Sequence, residues 1–308
     1  MVGSDLPLVP WPDDEDGAPV SSSPTPTVVA QRLRNLDVAD GMRVLDIGTG
    51  IGWTAGLLAH RLGADRVVTV ELDRDLANEA RRRLLVNRLP VKVVADDGML
   101  GHPQGAPYDR IHVAVATRRV PMALIEQVVP GGLIVVPYTT PFCDGGLSKL
   151  TVAEDGRSAD GPFVEEAAFV REREQWPESR EFAIGGVRHG PSELDPAVVA
   201  DHAAAAFAIG VRLSGRLCRR EVSADYDRLG TGRLEVSDGL SYAHCRFADW
   251  GARHAVSQAG PRNLWDEVTA AHAWWQRQGG PGLTRFGLTV TVEGEHRVWL
   301  DDPGRVVG

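Results

Sequence analysis

A short apolar run, Val44-Leu45-Asp46-Ile47, leads directly into Gly48-Thr49-Gly50-Ile51-Gly52 and then into a helical pattern. That order constrains the fold more than any other feature of the chain. A strand that ends in closely spaced glycines and restarts as a helix is the opening turn of a strand–helix–strand unit. The alternation recurs downstream. Strands are predicted over 43–47, 66–71, 91–95, 108–116 and 132–137, with helices over 51–62, 75–87 and 121–128. The helix at 75–87 carries its acids early and its arginines later, in agreement with the helix dipole. The pattern implies an α/β fold, a doubly wound and mostly parallel sheet covered on both faces.

The flanks read differently. Residues 1–26 are proline-rich and read as an irregular lead-in, with Asp13-Asp14-Glu15-Asp16 a solvated acidic run rather than a dock for a basic peptide. A short helix should follow, on the spacing of Val28, Val29, Leu33 and Leu36. Beyond 137, Gly145-Gly146 reads as a hairpin turn before a strand at 147–153, and 163–173 adds another pairing. From 185 the texture changes. An alanine-rich helix is predicted over 196–209, a strand pair over 234–236 and 241–247, a helix over 263–278, and a closing hairpin over 286–292 and 296–300. Trp265, Trp274 and Trp275 fit the core of a small domain better than a peptide-anchoring surface. Three parts are therefore expected: a lead-in (1–26), the α/β domain (27–184) and a smaller α+β accessory domain (185–308).

Composition excludes several roles. The chain of 308 residues has 42 acidic against 33 basic side chains, a formal charge of −9. That balance argues against a nucleic-acid partner, which needs a basic face. No run approaches the roughly 18 apolar residues of a membrane span. No basic segment precedes an apolar stretch at the N-terminus, so no secretory signal is expected. The three cysteines, Cys143, Cys218 and Cys245, form no CxxC pair. No disulfide framework or metal site is expected, and a cytoplasmic location fits. No sequence feature specifies an oligomeric state.

The chemistry starts at the glycines, which permit positive φ and let backbone approach a ligand. Gly-x-Gly-x-Gly is not the dinucleotide fingerprint, and no Lys-Ser/Thr follows for a phosphate loop. Asp46 would repel a pyrophosphate. It suits a cationic ligand, namely the sulfonium and amino group of S-adenosylmethionine, unless the loop is a tight turn that binds nothing. Glu71 ends the second strand about twenty residues on, where an acid accepts hydrogen bonds from ribose hydroxyls; the bland alternative is a surface glutamate. Asp96-Asp97-Gly98 ends the third, within reach of an adenine edge or as a helix cap. Three acids at three successive strand ends are hard to explain separately. Methyl transfer to a carboxylate, which is already ionised at pH 7, needs no general base. Positioning and desolvation must supply the rate. No Ser-His-Asp or Cys-His arrangement is evident, and His112, inside a strand, reads as a core residue.

On these residues the chain resembles the protein-L-isoaspartate O-methyltransferases. The glycine loop is followed by Trp53, Thr54 and Ala55, matching that family's aromatic residue and Thr-Ala. Asp97-Gly98, Ala106-Pro107-Tyr108-Asp109-Arg110-Ile111-His112-Val113, Val120-Pro121, Ala123-Leu124-Ile125, Pro130-Gly131-Gly132 and Val136-Pro137 follow its order and spacing over roughly residues 5–155. The resemblance implies a Rossmann-like, S-adenosylmethionine-dependent methyltransferase domain. The expected cofactor site is Asp46, Gly48, Thr49, Gly50, Gly52, Trp53, Glu71, Leu72, Asp96, Asp97 and Gly98. The resemblance also implies a hydroxyl-bearing loop that grips the substrate carboxylate, here Ser21–Thr27, with Ser22, Ser23, Thr25 or Thr27 supplying the hydroxyl. Pro24 and Thr27 stand where the family has a serine and a histidine.

The family's N-terminal helical region is nearly absent, and residues 185–308 are expected to have no counterpart in the repair enzymes. Those departures resemble the actinobacterial branch that acts on ribosomally made, modified peptides. The leading expectation is methylation of an aspartyl carboxylate in such a peptide, the ester then closing to an aspartimide. The alternatives are isoaspartyl repair, and an inactive cofactor-binding recognition module. The expected partner is a peptide or protein carrying an aspartyl or isoaspartyl residue.

Overall fold

The computed structural model describes residues 8–13, 19–166, 186–213, 219–222 and 232–308. The predicted strand beyond 166, most of the acidic run and Cys218 lie outside the described residues.

The described residues of the lead-in are more regular than expected. β1 (Leu8–Asp13) and β2 (Pro19–Ser23) form an antiparallel hairpin. Its prolines are compatible with this because each strand of a two-stranded ribbon is an edge. α1 (Pro26–Leu36) follows, buried through Val29 and Leu36. The predicted alternation then appears as β3 (Val44–Ile47), α2 (Trp53–Leu62), β4 (Val67–Glu71), α3 (Arg74–Val86), β5 (Lys92–Ala95), β6 (Tyr108–Val113), α4 (Met122–Ile125) and β7 (Val128–Thr140). α4 is one turn where a longer helix was expected, because the chain re-enters the sheet at Val128.

Two strands continue the sheet, β8 (Cys143–Val152) and β9 (Ser158–Glu166). The predicted turn at Gly145-Gly146 is wrong: the chain reverses at Pro141-Phe142, and both glycines lie inside β8. A side chain on Gly145 would collide with the Tyr138 carbonyl of the neighbouring strand, so the glycine marks a close backbone approach rather than a turn.

Further along lie β10 (Arg188–Gly190), α5 (Pro196–Asp201), α6 (Ala203–Arg212), β11 (Arg219–Val222), β12 (Arg233–Ser237), β13 (Tyr242–Arg246), β14 (Val256–Ala259), α7 (Leu264–Arg277), β15 (Phe286–Thr291) and β16 (His296–Leu300). The alanine-rich helix is two helices, parted at His202, whose ring accepts from Ala205 N as the cap of the second.

The large sheet has nine strands in the order β16-β15-β9-β8-β7-β6-β3-β4-β5. Its five strands from β7 to β5 are parallel, and the other four join antiparallel. The second sheet, β10-β14-β13-β12-β11, is antiparallel. Leu36, Ala55, Leu58, Ala77 and Leu84 from α1, α2 and α3 pack on one face of the large sheet. Leu124, Phe207 and Trp275 from α4, α6 and α7 pack on the other. Trp265 is buried in the core of the second sheet, so two of the three tryptophans are core residues. Trp274 is partly buried beneath the Arg212 guanidinium, 5.1 Å from its ring centroid.

The C-terminal hairpin departs from the expected boundary at 185. β15 pairs with β9 in the large sheet, not with the second one. Phe207 of α6 stacks edge-on against Phe163 of β9 at 5.0 Å and Phe286 of β15 at 5.4 Å. Each such aromatic pair is worth about 0.5–1.5 kcal/mol beyond the area it buries. The two halves of the sequence therefore share one core. Among the described residues no helix is long and apolar enough to cross a membrane.

Candidate functional site

β4 and β6 flank β3 on opposite sides, so the chain leaves β3 in one direction and returns to it from the other. Ligands of such sheets sit at that switch, outside the carboxyl ends of the strands. The parallel register aligns those ends: Ile47 lies opposite both Val70 and Val113, and Glu71 opposite Ala95. The glycine loop, Glu71-Leu72, Asp96-Asp97 and the segment after β6 thus share one edge.

The loop is tied to the sheet through Gly48 N and Thr49 N, which both donate to Val70 O, at 2.9 and 3.3 Å. Gly48, Gly50 and Gly52 all have positive φ, at +87°, +51° and +84°. A Cβ at Gly48 would stand 3.2 Å from that of Ala114. The positive φ favours glycine and a side chain would be crowded, because the segment after β6 lies directly against the loop. Glu71 binds the loop from the next strand. Its Oε2 accepts from Gly50 N at 2.8 Å and its Oε1 from Asp73 N at 3.2 Å.

Asp46 does not reach the ligand edge. Its side chain is fully buried, with Oδ1 2.7 Å from His112 Nδ1 and Oδ2 accepting from Thr69 Oγ1 at 2.9 Å. Thr69 in turn lies 2.7 Å from Thr49 Oγ1 in the loop. The expectation of a direct contact with a sulfonium is corrected: both carboxylate oxygens are engaged inside the sheet, and Asp46 acts on the loop through Thr69 and Thr49. His112 is the core residue expected from its position in a strand. Its Nε2 finds no partner among the described residues.

The remaining cofactor candidates divide. Leu72 and Trp53 are apolar yet 52% and 47% exposed, which suits a purine face. Asp96 is exposed and accepts from Asp97 N; Asp97 caps a short 3-10 turn, accepting from Met99 N at 2.8 Å. Gly98 is buried, and any Cβ there would overlap Ile47 Cγ2 at the end of β3. Thr49 is buried, and Gly50 and Gly52 shape the turn.

In the proposed acceptor loop, Ser22 and Ser23 fall in β2, where the description covers only backbone. Thr25 is the cap of α1 and accepts from Val28 N at 3.4 Å, with Pro26 at the first helical position. Thr27 is exposed.

Sequence reasoning missed a second group. Arg118 and Arg119 follow β6 at its carboxyl end, four and five residues past Ala114. Arg118 is half-buried; burial and the neighbouring Arg119 push its guanidinium pKa down, and Tyr138 pulls it up. His296, at the start of β16, closes on the same segment. Its Nε2 accepts from Val120 N at 2.8 Å, and its Nδ1 lies 3.1 Å from Gly294 O. That pattern fixes the neutral tautomer with the proton on Nδ1. The ring stacks on Tyr138, centroids 6.5 Å apart. Burial pushes the Tyr138 phenol up to about 12. Two cations just after an apolar strand were the available signal; the His296 contact had none, since it joins residues 176 positions apart.

The family model described as Protein-L-isoaspartate(D-aspartate) O-methyltransferase matches residues 14–158. A protein-L-isoaspartate O-methyltransferase of Aeropyrum pernix is 44% identical over 146 residues, which are 46% of this chain and 55% of that protein. That of Thermococcus onnurineus is 40% identical over 153 residues, covering 47% of this chain and 68% of that protein. That of Gloeobacter violaceus is 37% identical and covered over 72% of its length. The match therefore spans about half of the first of these relatives and about two thirds of the others. A solved structure named protein-L-isoaspartate O-methyltransferase superposes on 97% of this chain and 87% of its own, with a TM-score of 0.56 and 19% identity. The likeness is one of fold, and it reaches the C-terminal region. The expectation that residues 185–308 have no counterpart in such proteins is corrected.

Proposed function

The chain belongs to the protein-L-isoaspartate O-methyltransferase family, and from that premise we propose that it methylates an isoaspartyl carboxylate of a peptide or protein, using S-adenosylmethionine. The observation that carries the reading is the gathering of Gly48–Gly52, Glu71-Leu72 and Asp96-Asp97 at the switch point of the sheet. The residues fit the cofactor. A positive-φ turn brings bare backbone to the edge, a partly exposed carboxylate, Glu71, stands at the end of β4, and exposed apolar groups lie beside it. Glu71 would accept from the ribose hydroxyls, and Leu72 and Trp53 would cover the base.

When bound, S-adenosylmethionine supplies an electrophilic methyl group on a sulfonium. The protein's task is to hold an ionised carboxylate in line with it and to exclude water. No proton has to be removed from the acceptor. That agrees with a site edge built from glycine backbone and carboxylates, in which the buried His112 faces Asp46 rather than the edge.

A second reading has one observation behind it, the altered acceptor loop. With Pro24 and Thr27 at the positions of the family's serine and histidine, and with Thr25 committed to capping α1, the acceptor need not be isoaspartate. The specialist reading is an ordinary aspartate of a ribosomally made, modified peptide, whose ester then closes to an aspartimide.

Mass spectrometry with cofactor and two peptides separates the readings. Methyl gain on arbitrary isoaspartyl peptides supports the first. Turnover confined to one constrained aspartyl peptide, with later loss of methanol, supports the second. Tight cofactor binding with no transfer to either leaves an inactive recognition module.

A further inference from the structure

We propose that Thr69 and Thr49 are positioning residues that carry the negative end of Asp46 to the glycine loop, and that this string makes the loop select a cationic group of its ligand. This rests on the S-adenosylmethionine reading above.

The direction of each hydrogen bond follows from the protons available. Asp46 Oδ2 accepts from Thr69 Oγ1 at 2.9 Å. A threonine hydroxyl has one proton, so Thr69 has none left for Thr49 Oγ1, 2.7 Å away. Thr49 must therefore donate to Thr69. The string runs one way, from Thr49 through Thr69 to Asp46, and hydroxyls in series polarise one another in that direction. Thr49 Oγ1 is left able only to accept, and the carboxylate two hydrogen bonds inward makes that oxygen more negative.

The charge at the inner end is not cancelled. Among the described residues the ion-pair partner of Asp46 is an imidazole, not a lysine or an arginine. An accepting carboxylate oxygen 2.7 Å from His112 Nδ1 places a proton on that nitrogen. His112 Nε2 is buried and finds no partner among the described residues. A second proton there would leave a buried cationic N–H with nothing to receive it, at a larger desolvation cost than a bare lone pair. The ring is therefore neutral, and Asp46 keeps its net negative charge.

The glycines of the loop have no amides to spare for an anion. Gly48 N donates to Val70 O at 2.9 Å, Gly50 N to Glu71 Oε2 at 2.8 Å and Gly52 N to Thr49 O at 2.9 Å; Thr49 N also donates to Val70 O. A phosphate cradle turns such groups outward to its ligand. Here they are spent inside, with a buried negative charge behind them. That arrangement favours a cationic group over a neutral one, and S-adenosylmethionine offers two, its sulfonium and its ammonium. Thr49 is buried between two glycines at positive φ, so the same string also anchors the turn to the sheet. The experiment has to separate the two effects.

The test measures calorimetric Kd values of the full chain for S-adenosylmethionine, S-adenosylhomocysteine and methylthioadenosine. The first carries sulfonium and ammonium, the second the ammonium alone, the third neither. Thr49→Val cuts the string at the loop and leaves Asp46 with both of its partners. It should weaken binding of the charged ligands about threefold to tenfold, roughly the worth of one hydrogen bond, and leave methylthioadenosine unchanged. Thr69→Val should do the same, and Thr69→Ser should restore the wild-type selectivity. The double variant should lose little more than the larger single loss, because the two hydroxyls act in series. If Thr69→Val does not fold, Thr49→Val decides alone. A loss confined to S-adenosylmethionine identifies the sulfonium as the group selected, and a loss shared with S-adenosylhomocysteine identifies the ammonium. Equal weakening of all three ligands overturns the proposal by reducing the hydroxyls to anchors of the turn, and unchanged values in Thr49→Val overturn it as well. A wild type that binds none of the three overturns the cofactor reading itself.

Discussion

Asp46 and His112 face each other across adjacent parallel strands, 2.7 Å apart and with side chains 0% and 1% exposed. They are register partners, and Thr69 is the partner of Asp46 on its other side. One row of side chains across β4, β3 and β6 therefore forms a buried polar string inside an apolar sheet. Removing His112 leaves the carboxylate with Thr69 alone. His112→Ala should cost about 3 kcal/mol or more in urea unfolding, the cost of stripping a partner from a buried charge. A loss below 1 kcal/mol would contradict the pairing.

Glu71 differs from Asp46 in that it is partly exposed and bridges two backbone amides at the loop. Glu71→Ala should weaken S-adenosylmethionine binding by at least about tenfold, or about 1.4 kcal/mol, measured by calorimetry. Its effect on unfolding should be smaller than that of His112→Ala. Unchanged affinity would remove Glu71 from the cofactor site.

Gly98 presses against Ile47 at the point where β3 gives way to the glycine loop. Even the smallest side chain overlaps Ile47 Cγ2. Gly98→Ala should therefore destabilise by about 1–3 kcal/mol, the usual cost of overpacking, and should weaken cofactor binding as the loop shifts. A companion Gly131→Ala, at a glycine with φ +73° and open space around it, should leave cofactor binding unchanged.

His296 gives the fold a pH dependence whose sign follows from its surroundings. Burial, then the nearby Arg119, push its pKa below the ordinary 6.5, while the hydrogen bond to Gly294 O opposes the shift. The folded chain therefore takes up this proton at lower pH than the unfolded chain. The stability that His296 contributes is complete above about pH 6.5 and is lost as pH falls from there through the folded-state value. Unfolding free energy followed from pH 7.5 to 5 should fall more steeply in the wild type than in His296→Gln. Parallel curves would show that the imidazole takes up its proton at the same pH in the folded and the unfolded chain.

Much of this was written in local pattern. The runs Val44–Ile47 and Val67–Glu71 are mostly apolar and buried on both faces, as strands inside a parallel sheet must be, and the glycines between elements mark the switch point. The place of Glu71 at a strand end was legible because a strand end is a local feature. The Asp46–His112 contact was not, although both residues interrupt apolar runs in the same way, because only register shows that they lie opposite. The destination of the last hairpin was equally hidden: alternation predicts that 286–300 forms two strands, not which edge they complete. Gly145-Gly146 misled because a glycine pair signals a turn and a tight strand crossing alike.

The bond from Val120 N to His296 Nε2 reaches across 176 positions, and β9 waits for β15 as its outer neighbour. During synthesis, the cofactor-binding half emerges long before either partner exists. A nascent chain can bury the glycine loop early, yet Val120 N lacks its imidazole partner until β16 has been made. Pairings of such long range form late and slowly. An unfinished or C-terminally clipped chain would leave β9 an open edge and Val120 N without its partner, so the order of the segment after β6 is conditional on the chain being made through β16.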